Sequence, residues 1–221
     1  MVDHFAILLA VRQRLLSLVV VTTGTTTLAA TATGYTRAEG SFLADGFLVG
    51  MEVVPVGFAS AEPGVVVKVE ALTLTVDAPE REDDPAAPGR ALTVGLPSLR
   101  AWENVAFEHQ DGRWYVEEDY LPGPSFRAAG GANGEMEVQP AYVLKLGGLA
   151  GSGPGPLYRV SDAVLGLFPP GAAFAAADGH TVRVRGEPAP YRGQVLPEGA
   201  SHALVVITVP MWVRTAINLT V

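Results

Sequence analysis

Outside two helix-like stretches, the patterned parts of this chain repeat every two residues, and that period restricts the fold more than any other feature. In "GVVVKVEALTLTV" (64–76), Val66, Lys68 and Glu70 alternate with Val65, Val67 and Val69, and Leu72, Leu74 and Val76 alternate with Thr73 and Thr75. Successive strand residues point to opposite faces, so such alternation marks half-buried strands. Val19–Thr33 is dominated by β-branched residues and alanine, with no helical repeat. Asp45-Gly46, Gly50, Gly57 and Pro63-Gly64 cut the rest into short strands and turns. Residues 21–94 therefore predict a small all-β body. Within them, "DAPEREDDPAAPGR" (77–90) is polar, acidic and proline-rich, which predicts an exposed loop or linker.

The first helical stretch is residues 3–20. Phe5, Leu8, Leu9, Leu15, Leu16 and Val19 follow the helical repeat and predict the buried face. Gln13, Arg14 and Ser17 point away. Arg12 falls near the apolar stripe, where its stem can lie along the edge, and Asp3 is placed to cap the first turn. The stretch is apolar, yet Arg12 and Arg14 interrupt it and it opens on Asp3 and His4. A signal peptide wants positive charge first and an unbroken apolar run, and a membrane span wants about 20 uncharged residues. The expectation is a soluble chain.

From residue 95 the pattern is α+β. "RWYVEEDYLPG" sets Trp114, Val116, Glu118 and Tyr120 against Tyr115, Glu117 and Asp119. A second alternating run passes through Tyr142, Leu144 and Leu146, and the glycine-rich 127–134 between them reads as a hairpin tip. "GSGPGPLYRVSDAVLGLFPPG" (151–171) predicts a helix with Pro156 in its first turn, Leu157, Val160, Val164, Leu167 and Phe168 on one face, and Pro169-Pro170-Gly171 as its stop. Strands follow at Thr181–Arg185 and Ala203–Val213, with a fault at Pro210.

Charge supports a boundary at each side of the β body. Residues 21–95 hold 4 basic and 10 acidic side chains, a net −6, and the remainder holds 11 and 13, a net −2. The whole chain carries −8, against phosphate-directed nucleic-acid binding. A hydrophobic content of 48% with 17% charge allows a real core, and the absence of cysteine removes disulfide and thiolate chemistry.

Little in the sequence points to catalysis. His4, His109, His180 and His202 are scattered and lack partners at metal-ligand spacing, so they read as exposed or capping residues. Glu117 and Asp119 can converge on one strand face, where a solvated hairpin face is the plainer reading. Glu80, Glu82, Asp83 and Asp84 lack calcium-loop spacing. "GSGPGP" (151–156) is glycine-rich ahead of a helix but has no Lys-Ser/Thr, and its prolines remove donors. No catalytic, cofactor or metal residue is assigned. Aromatic residues and Met near strand edges, namely Trp114, Tyr115, Tyr120, Met211 and Trp212, together with Arg127 and Asn133, form the candidate interface.

The succession "LPSLRAWENVAFE", "GRWYVEEDYLPG", a glycine-rich tip with a returning strand, "GPGPLYRVSDAVLGLFPPG" and "ALVVITVPMW" resembles the tail terminator (tail completion) proteins of long non-contractile-tailed phages. The resemblance covers residues 1–20 and 95–221. The stretch "GSFLADGFLVG" (40–50) with the valine-rich strands after it resembles a small β module of phage virion proteins. The resemblance implies a tail-terminator-like α+β domain, a mixed or antiparallel sheet flanked by two helices, carrying 21–94 as an inserted β module. It implies a non-enzymatic hexameric ring at the head-proximal end of the virion tail, assembled in the host cytoplasm. Its partners would be itself, the tail tube protein and the head–tail connector protein, with genome DNA passing through the lumen without specific binding, and no membrane. No cofactor is implied. Two alternatives stay open: a head–tail connector or tube protein, and a carbohydrate-binding or adhesion module acting through the β body. Trp102 and Phe107 separate an insertion from a separate domain. They should pack with the helices and not with Phe47 or Val66.

Overall fold

The computed structural model describes residues 2–59, 62–77, 83–102, 107–108, 110–128, 134–198 and 201–216. The chain opens with α1 (His4–Leu16), capped by the Asp3 carboxylate, which accepts from Phe5 N at 2.9 Å. It then enters seven strands: β1 (Val21–Thr22), β2 (Thr26–Thr31), β3 (Gly34–Arg37), β4 (Glu52–Val56), β5 (Gly64–Val69), β6 (Thr73–Asp77) and β7 (Asp84–Val94), with the short α2 (Phe42–Asp45) between β3 and β4. The order β7-β2-β3-β6-β5-β4 returns to β7, so six antiparallel strands close a barrel and β1 lies alongside β7. Closure leaves the barrel no open edge. Its interior is filled by Leu28, Tyr35, Phe42, Phe47, Met51, Val53, Val66, Leu74 and Leu92, all buried.

The second half forms one long sheet. Its strands are β8 (Leu99–Ala101), β9 (Tyr115–Leu121), β10 (Ser125–Arg127), β11 (Glu135–Val138), β12 (Ala141–Leu149), β13 (Ala173–Ala175), β14 (Thr181–Val184), β15 (Tyr191–Arg192), β16 (Leu196–Glu198) and β17 (His202–Ala216), with α3 (Gly155–Leu167) between β12 and β13. The spine is β17, 15 residues long. On one side it pairs with β12 and then β11, and on the other with β16, β15 and β14 in turn. The partner changes at Pro210, opposite the Gln139-Pro140 break, where Met211 N donates to Pro140 O at 2.8 Å. A proline there interrupts the ladder at the point where the ladder must change.

Both long helices cover the same sheet face. Val116, Glu118 and Tyr120 on β9 pair with Leu146, Leu144 and Tyr142 on β12, and these with Val205, Ile207 and Val209 on β17. Leu157, Val160 and Val164 of α3 and Phe168 beyond it are buried with them in one core. Arg12 of α1 reaches Glu118, and His4 Nδ1 lies 2.8 Å from the Tyr120 hydroxyl.

These arrangements correct the expected fold class. Strand makes up 47% and helix 15%, and a closed six-strand barrel is present, so the molecule is mostly β and is not a sheet flanked by two helices. The reason is burial: α1 and α3 share one face, and among the described residues the opposite face has no helical layer. The linker expected at 77–90 is corrected too, because β7 begins at Asp84. Arg90 explains how a stretch with Pro85, Pro88 and Gly89 holds a strand. Its buried guanidinium donates to the carbonyls of Leu28 and Pro85 at 2.9 and 2.7 Å and to the Asp84 carboxylate at 2.5 Å, stacked 4.6 Å over Phe58. The β2–β7 ladder carries register shifts there, as strands that lack donors do.

Trp102 packs against the core and lies 5.1 Å under the Arg12 guanidinium, and Phe107 lies 5.5 Å from Tyr115. Trp102 thus meets α1 as expected, whereas Phe107 meets Tyr115, which shares the Glu117 and Asp119 side of β9, the face opposite the helices.

Candidate assembly surface

The α1 helix is apolar on two sides. Its inward side buries Ala6, Ile7, Leu8, Ala10, Val11 and Leu15. Its outward side leaves Phe5 60% exposed, Leu16 53% and Val19, just past the helix, 58%. The sequence stripe placed Phe5, Leu8, Leu9, Leu15, Leu16 and Val19 together; the structure splits it, because α1 sits in the angle between β9 and α3 and buries Ile7 and Val11. A helix that is hydrophobic all round belongs to an interior.

The bare sheet face is the second surface. Leu121, Phe126, Tyr191 and Leu196 project from it and are exposed. Lys145 bridges Asp119 at 3.0 Å and Glu117 at 3.5 Å on the same face. The Lys145 ammonium titrates above its ordinary value, chiefly through the hydrogen bond to Asp119. The convergence of Glu117 and Asp119 expected from strand geometry is present, and a lysine fills it. Among the described residues, edge strand β10 is exposed throughout and pairs only with β11, and edge strand β13 pairs only with β14. Open edges can accept strands from another chain.

Of the sequence-predicted interface residues, Trp114, Tyr115, Tyr120 and Met211 are core residues. Tyr115 bonds Glu198 and packs against His202. Arg127 is exposed on β10, Trp212 is half-buried on the bare face, and Asn133 lies outside the described residues. The aromatic signal failed because strand-edge aromatics in a two-layer unit face the core as readily as a partner. Sequence reasoning missed Phe5, Leu16 and Val19, which it assigned to the core; a helix with more apolar positions than one face can hold was the available signal.

Of the histidines, His109 lies outside the described residues. His202 is 3% exposed, between Ser201 and Arg113 O, a correction to its expected exposure. His180 Nδ1 lies 2.8 Å from Asp178, and His180 Nε2 lies 3.1 Å from the Thr215 hydroxyl. No group of three His, Cys, Asp or Glu able to hold a metal occurs among the described residues. "GSGPGP" borders an apolar groove of about 360 Å³ with Leu149, Tyr158, Val195 and Ala203. Among the described residues, no helix is long and apolar enough to cross a membrane.

No family model matches the chain. No curated protein matches it. A solved structure that carries no functional name is similar at 24% identity, with a TM-score of 0.40, over 54% of this chain and 79% of its own length. A likeness this loose carries no argument about function.

Proposed function

We propose that this chain is a structural virion protein that caps a phage tail tube as a homo-hexameric ring, ends tube polymerisation and joins the tail to the head connector. The observation that carries the reading is α1, whose outward stripe of Phe5, Leu16 and Val19 stays in water in a single copy. Burying the exposed part of each contributes on the order of 1 kcal/mol, so association is favoured. The order of motifs shared with tail terminators supplies the kind of assembly. The bare sheet face and the open edges β10 and β13 supply surfaces unlike the helical one, as a heterologous, ring-closing contact requires. The net charge of −8 suits a conduit that repels DNA, and a lumen lined by Lys and Arg would contradict that part.

The test is electron microscopy of the purified protein, alone and added to polymerising tail-tube protein. Six-fold rings, or tubes capped and halted at one end, are expected. Long cylinders formed by this protein alone would make it a tube protein. Tubes that grow unhindered beside it, without rings, would sink the proposal.

A further inference from the structure

We infer that the groove around Trp212 receives the acidic far end of the barrel of a second copy. The inference rests on the self-assembly reading above and names its contact. The groove encloses about 350 Å³ between β14, β17 and β11, lined by Glu135, His180, Thr181, Arg183, Trp212 and Arg214. The Arg214 and Arg183 guanidiniums lie 5.0 and 5.6 Å from the indole ring, flanking it. Stacking on an aromatic face fixes a guanidinium plane and leaves its N–H edge free for a carboxylate. The acids beside the groove are already directed elsewhere: Glu135 and Glu137 at Arg214, at 4.0 and 3.3 Å, and Asp178 at His180, at 2.8 Å. The exposed Arg183 guanidinium has no ion pair or hydrogen bond among the described residues, and Arg185 nearby reaches only the Gln139 amide, at 3.2 Å. A pre-positioned fork without an acid is a site for one.

The acids lie at the other end of the molecule. Asp77 closes β6 and Asp83 precedes β7; both are exposed, and Asp83 accepts from Ala32 N at 2.9 Å. Among the described residues, the arginine of this barrel end, Arg90, is buried. From that end β7 runs inward to Val94, where Val20 N donates to Val94 O at 2.7 Å. At the junction Glu52 of the barrel meets Arg113, whose carbonyl faces His202, and β17 then runs from His202 to Ala216 beside the groove. At roughly 3.3 Å per residue, the ten residues from His202 to Trp212 put roughly 33 Å of β17 between the junction and the groove. The acidic end cannot fold back onto its own Arg183, so a second copy must supply the carboxylates. Such a contact is head to tail and propagates into a ring.

The experiment measures the size of full-length assemblies by mass photometry, at low and high salt, for four proteins: wild type, Arg183→Glu, Asp77→Arg/Asp83→Arg, and the three changes combined. Wild type should associate, less so in high salt. Each charge reversal should weaken association by roughly tenfold or more, and the combination should restore it. Arg183→Gln, which removes the charge without reversing it, should fall between. The altered groups are exposed, so unfolding curves should stay close to wild type, with a loss of about 1 kcal/mol where Asp83→Arg gives up the bond from Ala32 N. Reversals that associate like wild type, or a combination that does not recover, overturn the inference. So does a wild type that stays monomeric both alone and on tubes. Tube capping separates the two readings. Capping that survives Arg183→Glu removes this contact and leaves the tail reading. Charge-swapped association without capping does the reverse.

Discussion

At the scale of single residues, the ion pair that fastens α1 to the sheet is the most consequential. Glu118 has no exposed side-chain surface and takes hydrogen bonds from Arg12 Nε at 2.8 Å and from the Tyr142 hydroxyl at 2.7 Å. Removing one partner of such a pair leaves a buried charge without compensation. Arg12→Met should therefore cost about 3 kcal/mol or more in urea unfolding. Adding Glu118→Gln should recover much of that loss, because the amide is neutral and still accepts from Tyr142. A double variant as unstable as Arg12→Met would show that packing of the arginine stem on Trp102, and not charge, is the cause. Asp178 sets a pH dependence. Partial burial works to raise its carboxyl, but bonds from His180 N, the His180 ring and Asp3 N outweigh it and hold the group below its ordinary 3.8. A depressed carboxyl stabilises the fold in full above its ordinary value and loses that contribution as pH falls through the folded value. Asp178→Asn should flatten the fall in melting temperature below about pH 4. An unchanged slope would place the acid sensitivity elsewhere.

At the scale of elements, α1 separates what its sequence reveals from what it hides. Replacing Phe5, Leu16 and Val19 with serine should leave monomer stability within about 0.5 kcal/mol each and abolish rings or tube capping. Ile7→Ser, on the inward side, should unfold the protein instead. Equal loss of stability on both sides would mean the outward stripe is already covered. Alternation and proline punctuation made β9, β12, β14, β17 and α3 legible, because each has one face against the core and a turn at each end. The existence of α1 was legible from its period, but not which face is buried, since nine apolar side chains crowd around a helix that Ser17 ends early. β7 was illegible for another reason: side-chain bonds from Arg90 hold Asp84 and Pro85 where backbone donors are missing. The shared placement of both helices was hidden as well, because a helical period shows which side is apolar and not which sheet face it meets. Gly147 marks a close approach no pattern announces. A Cβ there would fall 2.0 Å from the Tyr115 ring, so Gly147→Ala should displace Tyr115 from Glu198 and His202. A cost of about 2 kcal/mol in thermal unfolding is expected, and none if the ring swings aside freely.

At the scale of the whole molecule, the barrel leaves and rejoins the rest through neighbouring points. Val20 N bonds Val94 O, and a Cβ on Gly95 would come within 2.8 Å of Leu18 O. A body whose two ends touch can be removed without stretching the chain that remains. The barrel is closed by its own strands, yet its apolar interior is continuous with the core under the long sheet. The polar part of the tie is Glu52, 5% exposed, which accepts from Ser98 N and Oγ at 3.1 and 2.6 Å and from Arg113 at 3.1 Å. Glu52→Ala should loosen this tie and leave both bodies folded, so that hydrogen exchange rises around residues 96–98 and 113 while β12 and β17 stay protected. The stronger test replaces residues 21–94 with a short Gly-Ser turn. The shortened chain should unfold in one cooperative step, keep Trp114 in a buried environment by its fluorescence, and retain the Arg12–Glu118 tie. Arg113 would then face water and not an empty cavity, so its cost should be small. A shortened chain that is molten or aggregates would show that the barrel is part of the sheet's own core, and α1 would lose its standing as the first element of the unit that resumes at Leu96.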